Sequence, residues 1–576
     1  MSIRLPRLNV IRTRMEGVNA FGGLNHNLRI KENEFYDMRN MSTALLPVMS
    51  SRKKRRKLRT LESPNGLFAH EKLCWADGAA FYYDGAKKGD VADSPKQFVR
   101  MGAYVLIFPD KLYYNTHTDE FGALELEVST TGQVTCELCR IDGVPYGDYQ
   151  TGPEEPSKPA NGDVWMDTSE ATHVLRQYSE ASGVWNAIPT VYTKISAAGI
   201  GKGFSKHDGV SISGIDDDKL TGTFYLVDAA DDFVIVVALI EQKKTLTSAV
   251  TIKRSVPDMD FVIEHDNRIW GCSSEKHEIY ASALGDPKNW NQYLGVASDS
   301  YAVTVGTAGD FTGAASHMGY IFFFKEDCVH QIMGVRPENY QLMTTNCRGV
   351  AKGSEKSLCR VNETLFYMSR DDVCAFNTAL PTGISRPLGK EVYRDAVGGV
   401  NGGLYYLCLT NADGGRELYC YDVNVGVWIR EDDADARWFA QFGRELYMLD
   451  GSGNLWAMRG SHEYQDRGAI DESDVDWMLE TGDIGLDHQN AQFVSKIQLH
   501  AQCEAHSSIH VDVQYGASDV WQEVYSNTPS IRKSMVIPVI PRREKFIRLR
   551  LRGRGDVRLY SLTMRVEEGS DVYAPR

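Results

Sequence analysis

The sequence predicts an all-β chain: a β-propeller of about six or seven blades, carrying an inserted small β module and a C-terminal β-sandwich-like domain. Three observations lead there. A hairpin-shaped pattern recurs, with an aromatic and β-branched run, a polar turn, and a second short apolar run. Helical periodicity is nearly absent over the 576 residues. The last hundred residues read as a series of strands, and in FIRLRLR apolar and polar residues alternate with a period of two.

The hairpin pattern reads as KLCWADGAAFYYD (Lys72 to Asp84), YVLIFPDKLYYN (Tyr104 to Asn115), NRIWGCSSEKHEIYAS (Asn267 to Ser282) and YIFFFKEDCVHQIMG (Tyr320 to Gly334). It continues as TLFYMSRDDVCAFN (Thr364 to Asn377), LYYLCLTNADGGRELYCYD (Leu404 to Asp422) and ELYMLDGSGNLWAM (Glu445 to Met458). A lone hairpin cannot bury its apolar face, so repeated hairpins must stack, and radial stacking leaves few sheet edges exposed.

Taken in order, residues 1–60 lack a clear period and read as an extended N-terminal docking arm. Residues 61–118 hold the first blades. At Asp119 the pattern breaks, and 119–256 reads as an inserted β module with a Pro/Gly-rich stretch, TGPEEPSKPANGD (Thr151 to Asp163). Hairpins resume over 257–460. A polar stretch at 461–476 reads as a linker, and 477–576 as a separate antiparallel β domain. In FIRLRLR, Ile547, Leu549 and Leu551 face one way and Arg548, Arg550 and Arg552 the other.

Composition narrows the function. Hydrophobic content of 42% and charged content of 24% are ordinary for a globular chain. A formal net charge of −14 argues against wrapping of a nucleic-acid backbone by the whole surface. No apolar run approaches a membrane span, so no direct membrane insertion is expected, and no signal peptide is evident. Eleven cysteines without framework spacing suggest buried thiols in a reducing compartment.

Chemistry-bearing motifs are scarce. There is no phosphate-binding G-x-x-x-x-G-K-[ST], no G-x-S-x-G and no H-E-x-x-H. Cys136 and Cys139 form one C-x-x-C with no second pair to complete a zinc site. In LDGSGNLW (Leu449 to Trp456), Asp450 and Gly453 stand three apart, where the box of sialidase propellers needs two. No catalytic residue, cofactor or metal is expected, and the chain reads as a non-enzyme.

What remains is charge and aromatics. Arg52, Lys53, Lys54, Arg55 and Arg56 form the strongest basic block, a solvated arm or a contact for an acidic subunit or passing DNA. The acidic stretches Asp216 to Asp218 and Glu431 to Asp435 read as solvated turns. Arg548, Arg550 and Arg552 form a like-charged row, read as an interface for an acidic partner subunit first, DNA phosphates second and pairing inside the domain third. Trp165, Tyr178, Trp185 and Tyr192 in the insertion are possible ligand-binding aromatics.

Several segments carry a family resemblance: VPDMDFVIEHDNRIWGC (Val256 to Cys272), EIYASALGDPKNW (Glu278 to Trp290), FFFKEDCVHQIMG, GVAKGSEKSL (Gly349 to Leu358), LFYMSRDDVCAFN, and FGGLN near the start. Together they resemble tailed-bacteriophage structural proteins, in particular the β-propeller tail nozzle, hub and stabilisation proteins of short-tailed phages. The resemblance spans mainly 1–118 and 256–576. It implies a virion tail protein, made and assembled in the host cytoplasm, in a homo-oligomeric, typically sixfold ring. Such a ring extends the DNA-ejection conduit, meets tail adaptor and fibre proteins, and passes double-stranded DNA without sequence specificity. The alternative is a receptor- or glycan-binding propeller of a fibre or spike, and after it a propeller glycoside hydrolase.

Overall fold

Seven antiparallel sheets, each of four strands or more, follow one another along the chain at 64–90, 97–123, 261–304, 313–346, 359–383, 394–430 and 436–457. They belong to a computed structural model that describes residues 13–464, 468–485, 492–528, 531, 533–540, 542 and 544–568. The first twelve residues of the expected arm and residues 465–467 of the expected linker lie outside the described residues. Among those described there is no α-helix, only three one-turn 3-10 segments.

Each sheet is a meander in which consecutive strands pair. The turns explain why. Between Phe261–His265 and Arg268–Ser273, Asp266 and Asn267 both adopt positive φ (49° and 59°), and His265 pairs with Arg268. That is the two-residue hairpin turn whose twist suits antiparallel strands, and Asp and Asn tolerate it best among non-glycine residues. The second strands, such as Tyr104–Phe108 and Leu404–Thr410, are buried on both faces, which is why they read as unbroken apolar runs.

The seventh sheet is completed from far away in sequence. Its order runs Ala436–Phe442, Glu445–Asp450, Asn454–Ala457, then Arg56–Thr60, then Ile470–Asp471. Leu58 and Leu61 share a core with Leu67 and Trp75 of the first sheet and Tyr447 and Leu449 of the seventh. Residues 461–476 are therefore not a plain linker, since two of them add an outer strand.

The expected N-terminal arm is corrected in the same way. Residues 13–60 are strands of other sheets rather than a projecting segment. Thr13–Val18 and Met49–Ser51 pair with Val557–Glu568, and Phe35–Arg39 pairs with Asp476–Thr481. Two sheets result. One runs Met41–Ser42, Met49–Ser51, Val557–Glu568, Gln492–Cys503, Lys533–Ile537, and the other runs Phe35–Arg39, Asp476–Thr481, Ile547–Arg554, Ser508–Tyr515, Gln522–Asn527. Their inward residues, among them Met38, Met49, Leu499, Val511, Leu549 and Leu562, join one core that continues into the sixth sheet. The C-terminal domain is not separate, because its sheets need N-terminal strands.

The insertion has its own sheet and core. The second blade-like sheet keeps its fourth strand, Glu120–Ala123, so the break falls after Ala123 rather than at Asp119. Leu126–Ser129 then pairs with Thr251–Arg254, joining the way in to the way out. The two belong to an eight-stranded sheet, which with a four-stranded one at 150–187 surrounds a cluster that includes Val134, Met166, Leu226 and Ile252. By internal contacts one compact unit holds Met1–Pro95, Thr312–His330 and Thr344–Arg576, and a second holds Lys96–Phe311 and Gln331–Met343.

Candidate functional site

Two arginines of the basic block lie inside the fold. Arg52 and Arg55 are each 5% exposed. Arg55 donates to Glu431 at 2.6 Å and pairs with Asp432 at 2.7 Å. Arg52 grips Glu472 with both terminal nitrogens, at 2.7 and 2.9 Å, and donates to Asn40 at 2.7 Å. Lys54 reaches Asp474 at 2.6 Å, Arg56 lies 3.4 Å from Asp471, and Lys53 is exposed. Burial opposes ionisation of the acids, but the two arginines outweigh it and hold Asp432 and Glu472 below the usual carboxylate range. The docking-face expectation for Arg52 and Arg55 is thus corrected, since both guanidiniums are spent within the chain. So is the solvated-turn reading of Glu431 to Asp435, because Glu431 is buried against Arg55. Two blocks of opposite charge in one sequence were the signal for this pairing.

The arginine row is likewise engaged. Arg548 reaches Asp483 at 2.5 Å, Arg550 reaches Glu480 at 2.8 Å, and Arg552 reaches Asp512 at 2.8 Å and Glu523 at 2.6 Å. The reason is register: Arg550 stands opposite Glu480 on one neighbouring strand and Asp512 on the other. Arg550 also lies over the Trp521 ring at 4.0 Å. Pairing inside the domain, ranked last from sequence, takes the row ahead of any partner.

Three of the four aromatics come together. Tyr178 and Trp185 are direct cross-strand partners with rings 5.4 Å apart, and Trp165 meets Trp185 edge-on at 5.6 Å. Trp165 is buried and donates to the Gly152 carbonyl, whereas Tyr178 and Trp185 are half-exposed. Tyr192 packs elsewhere, with Cys139 and Ile235. On the strand of Trp165, Asp167 accepts from Ser169 and Arg176, which hold its pKa at about 2.

The FGGLN segment is a backbone clasp on the sixth sheet. Leu24 N–H donates to the Trp428 carbonyl at 2.7 Å, and Phe35 N–H donates to the Gly23 carbonyl. A Cβ at Gly23 would lie 2.0 Å from Val427 Cγ1 and 2.4 Å from the Trp428 oxygen, so the glycine is required by proximity.

For metal or acid–base chemistry the described residues offer little that converges. Among them, no group of three or more His, Cys, Asp or Glu side chains is arranged to hold a metal ion. Burial pushes the Cys136 and Cys139 thiols up to about 11. The first strands of the seven sheets carry two carboxylates, Glu264 and Asp395.

No family model and no curated protein matches the chain. Among solved structures, similar ones include the computationally designed Ika8 protein, at 9% identity and TM-score 0.32, covering 70% of this chain and 99% of that one. The exo-β-1,3-galactanase of Phanerochaete chrysosporium matches at 10% identity and TM-score 0.22, over 53% of this chain and 94% of that one. BamB of Moraxella catarrhalis matches at 12% identity and TM-score 0.26, over 64% and 95%. None of these is a phage protein. One of the three is a glycoside hydrolase, and the flat expectation of a non-enzyme is withdrawn against it. At such identities and scores, none of the three says what this chain binds or does.

Proposed function

We propose that the chain is a structural subunit of a short-tailed-phage tail, at the nozzle or hub, and that its seven sheets are the blades of one closed propeller. The observation that carries this reading is the completion of the seventh sheet by Arg56–Thr60, the strand directly preceding the first sheet. A last blade borrowing its outer strand from the start of the chain is a seal, and it resists opening because several ladder bonds and the Leu58 contact must break together. The same N-terminal stretch completes the terminal sandwich, so residues 13–60 fasten both the seventh sheet and the C-terminal sheets. That construction suits a ring subunit bearing load during DNA passage. Supporting it, the segments carrying the phage resemblance form the third to fifth sheets and the FGGLN clasp. In this reading the subunit sits in a sixfold ring, contacts adaptor and fibre proteins, and lets double-stranded DNA slide through without sequence preference.

The test is the protein inventory of purified particles by quantitative mass spectrometry. Six copies per particle are expected. Absence from the particle would sink the proposal.

A second reading rests on the insertion. Tyr178 and Trp185 present half-exposed rings on one small sheet, a surface on which sugar rings can stack, and glycan recognition at the host surface follows from it. Trp185→Ala is expected to lower binding to host polysaccharide at least tenfold while leaving particle assembly intact. The same preparation, assayed for release of reducing sugar, decides whether glycosidic bonds are also cut.

A further inference from the structure

A cavity of about 290 Å³ opens among the first strands of the fifth, sixth and seventh sheets, all within the first compact unit. Its size is near the lower end of ligand pockets. Leu358, Val397, Phe439 and Leu446 give it apolar walls. Gly398 and Gly399 form part of its lining, and both are needed there: a Cβ would come 2.9 Å from Cys359 Sγ at the first and 2.6 Å from the Phe439 ring at the second. The glycines leave backbone where side chains would otherwise fill the space.

Two residues of this lining carry hydrogen-bond donors with no acceptor among the described residues. Trp438 Nε1 is buried and has no hydrogen-bond partner among the described residues. Lys356 enters no ion pair among the described residues, and its ammonium lies 4.2 Å from the Trp438 ring centre. The charged groups around it are Glu355, Arg437 and Arg416, and the two arginines share Asp435, at 2.9 and 3.1 Å. Burial lowers the Lys356 pKa, with Arg437 and Arg416 adding to the effect and Glu355 opposing it. A cation held by a ring face alone, beside an unpaired N–H donor, is under-compensated in an apolar recess, and an anionic acceptor relieves both at once.

We propose that this cavity is a binding site for a small organic carboxylate with a flat, apolar body. The carboxylate accepts from Lys356 Nζ and Trp438 Nε1, and the body lies against Phe439 and Leu446. The assignment does not depend on whether the chain is a tail subunit.

Titration calorimetry with benzoate, and with benzyl alcohol as its uncharged counterpart, tests it. Saturable benzoate binding is expected, at least tenfold tighter than the alcohol. Lys356→Met should abolish that preference, and Trp438→Phe, which keeps a ring but removes the donor, should weaken benzoate several-fold. Glucuronate separates the apolar body from a sugar acid: it is expected to bind more weakly than benzoate, and tighter binding would overturn the stated class. No saturable benzoate binding by the unmodified chain at millimolar concentration would overturn the site altogether, whatever the variants do. Equal binding by a Lys356→Met variant with an unchanged thermal transition would do the same.

Discussion

Arg55 shows what a residue-level reading of charge misses. In the sequence it is one of a basic block. In the fold it stands between Glu431 and Asp432, with little exposure to water. Removing one member of a buried pair leaves the others desolvated and uncompensated, so Arg55→Ala should destabilise by about 3–5 kcal/mol, where an exposed charge would cost under about 0.5 kcal/mol. Urea unfolding midpoints decide between the two. The acids also set a pH dependence. Asp432 and Glu472 titrate lower folded than unfolded, so their contribution is complete above the unfolded values, near 4, and is lost as pH falls through the lower folded ones. Arg52→Ala should flatten the stability loss below about pH 4, measured as the same midpoint across pH. Gly23 is a second such residue. Gly23→Ala forces a methyl into the Val427–Trp428 backbone and should cost about 1–3 kcal/mol, read from the thermal transition.

At the scale of elements, the insertion is a detachable module in its connectivity but not wholly in its contacts. Thr130 and Val250 are hydrogen-bonded to each other in both directions, at 3.0 and 2.9 Å. A two-residue Asn-Gly turn between them can therefore replace 131–249. The shortened chain should keep a cooperative unfolding transition, because the module's core is built from its own residues. It should also be less stable by roughly 1–3 kcal/mol, since buried Asn289 loses Gly209 and the His207 carbonyl as partners. Loss of cooperativity would mean that the insertion supports the second and third sheets rather than merely interrupting the chain between them.

For the whole molecule the N-terminal strands matter most. A chain starting at residue 61 lacks the closing strand of the seventh sheet and four strands of the terminal sandwich. It exposes long unpaired edges, and aggregation with early proteolysis of 436–457 is the expected outcome in limited digestion. Supplying residues 1–60 as a separate peptide should restore protection of that segment. Digestion at the same rate with and without the peptide would show that the seal is not what holds the seventh sheet.

The sequence by itself determined the local layer: strands, their hairpin turns, and the alternation of Ile547, Leu549 and Leu551 with the arginines. These follow from backbone preferences and side-chain period, which act within a few residues. Only the tertiary structure decided what those elements join. Residues 13–60 form strands of two to six residues, too short to show a period, and they complete sheets whose other strands lie far along the chain. The acidic partners of Arg52 and Arg55 lie some four hundred residues away, and the Lys356–Trp438 cavity gathers three sheets. Complementarity over such separations leaves no local pattern, because it depends on which strands and side chains meet only in the folded chain.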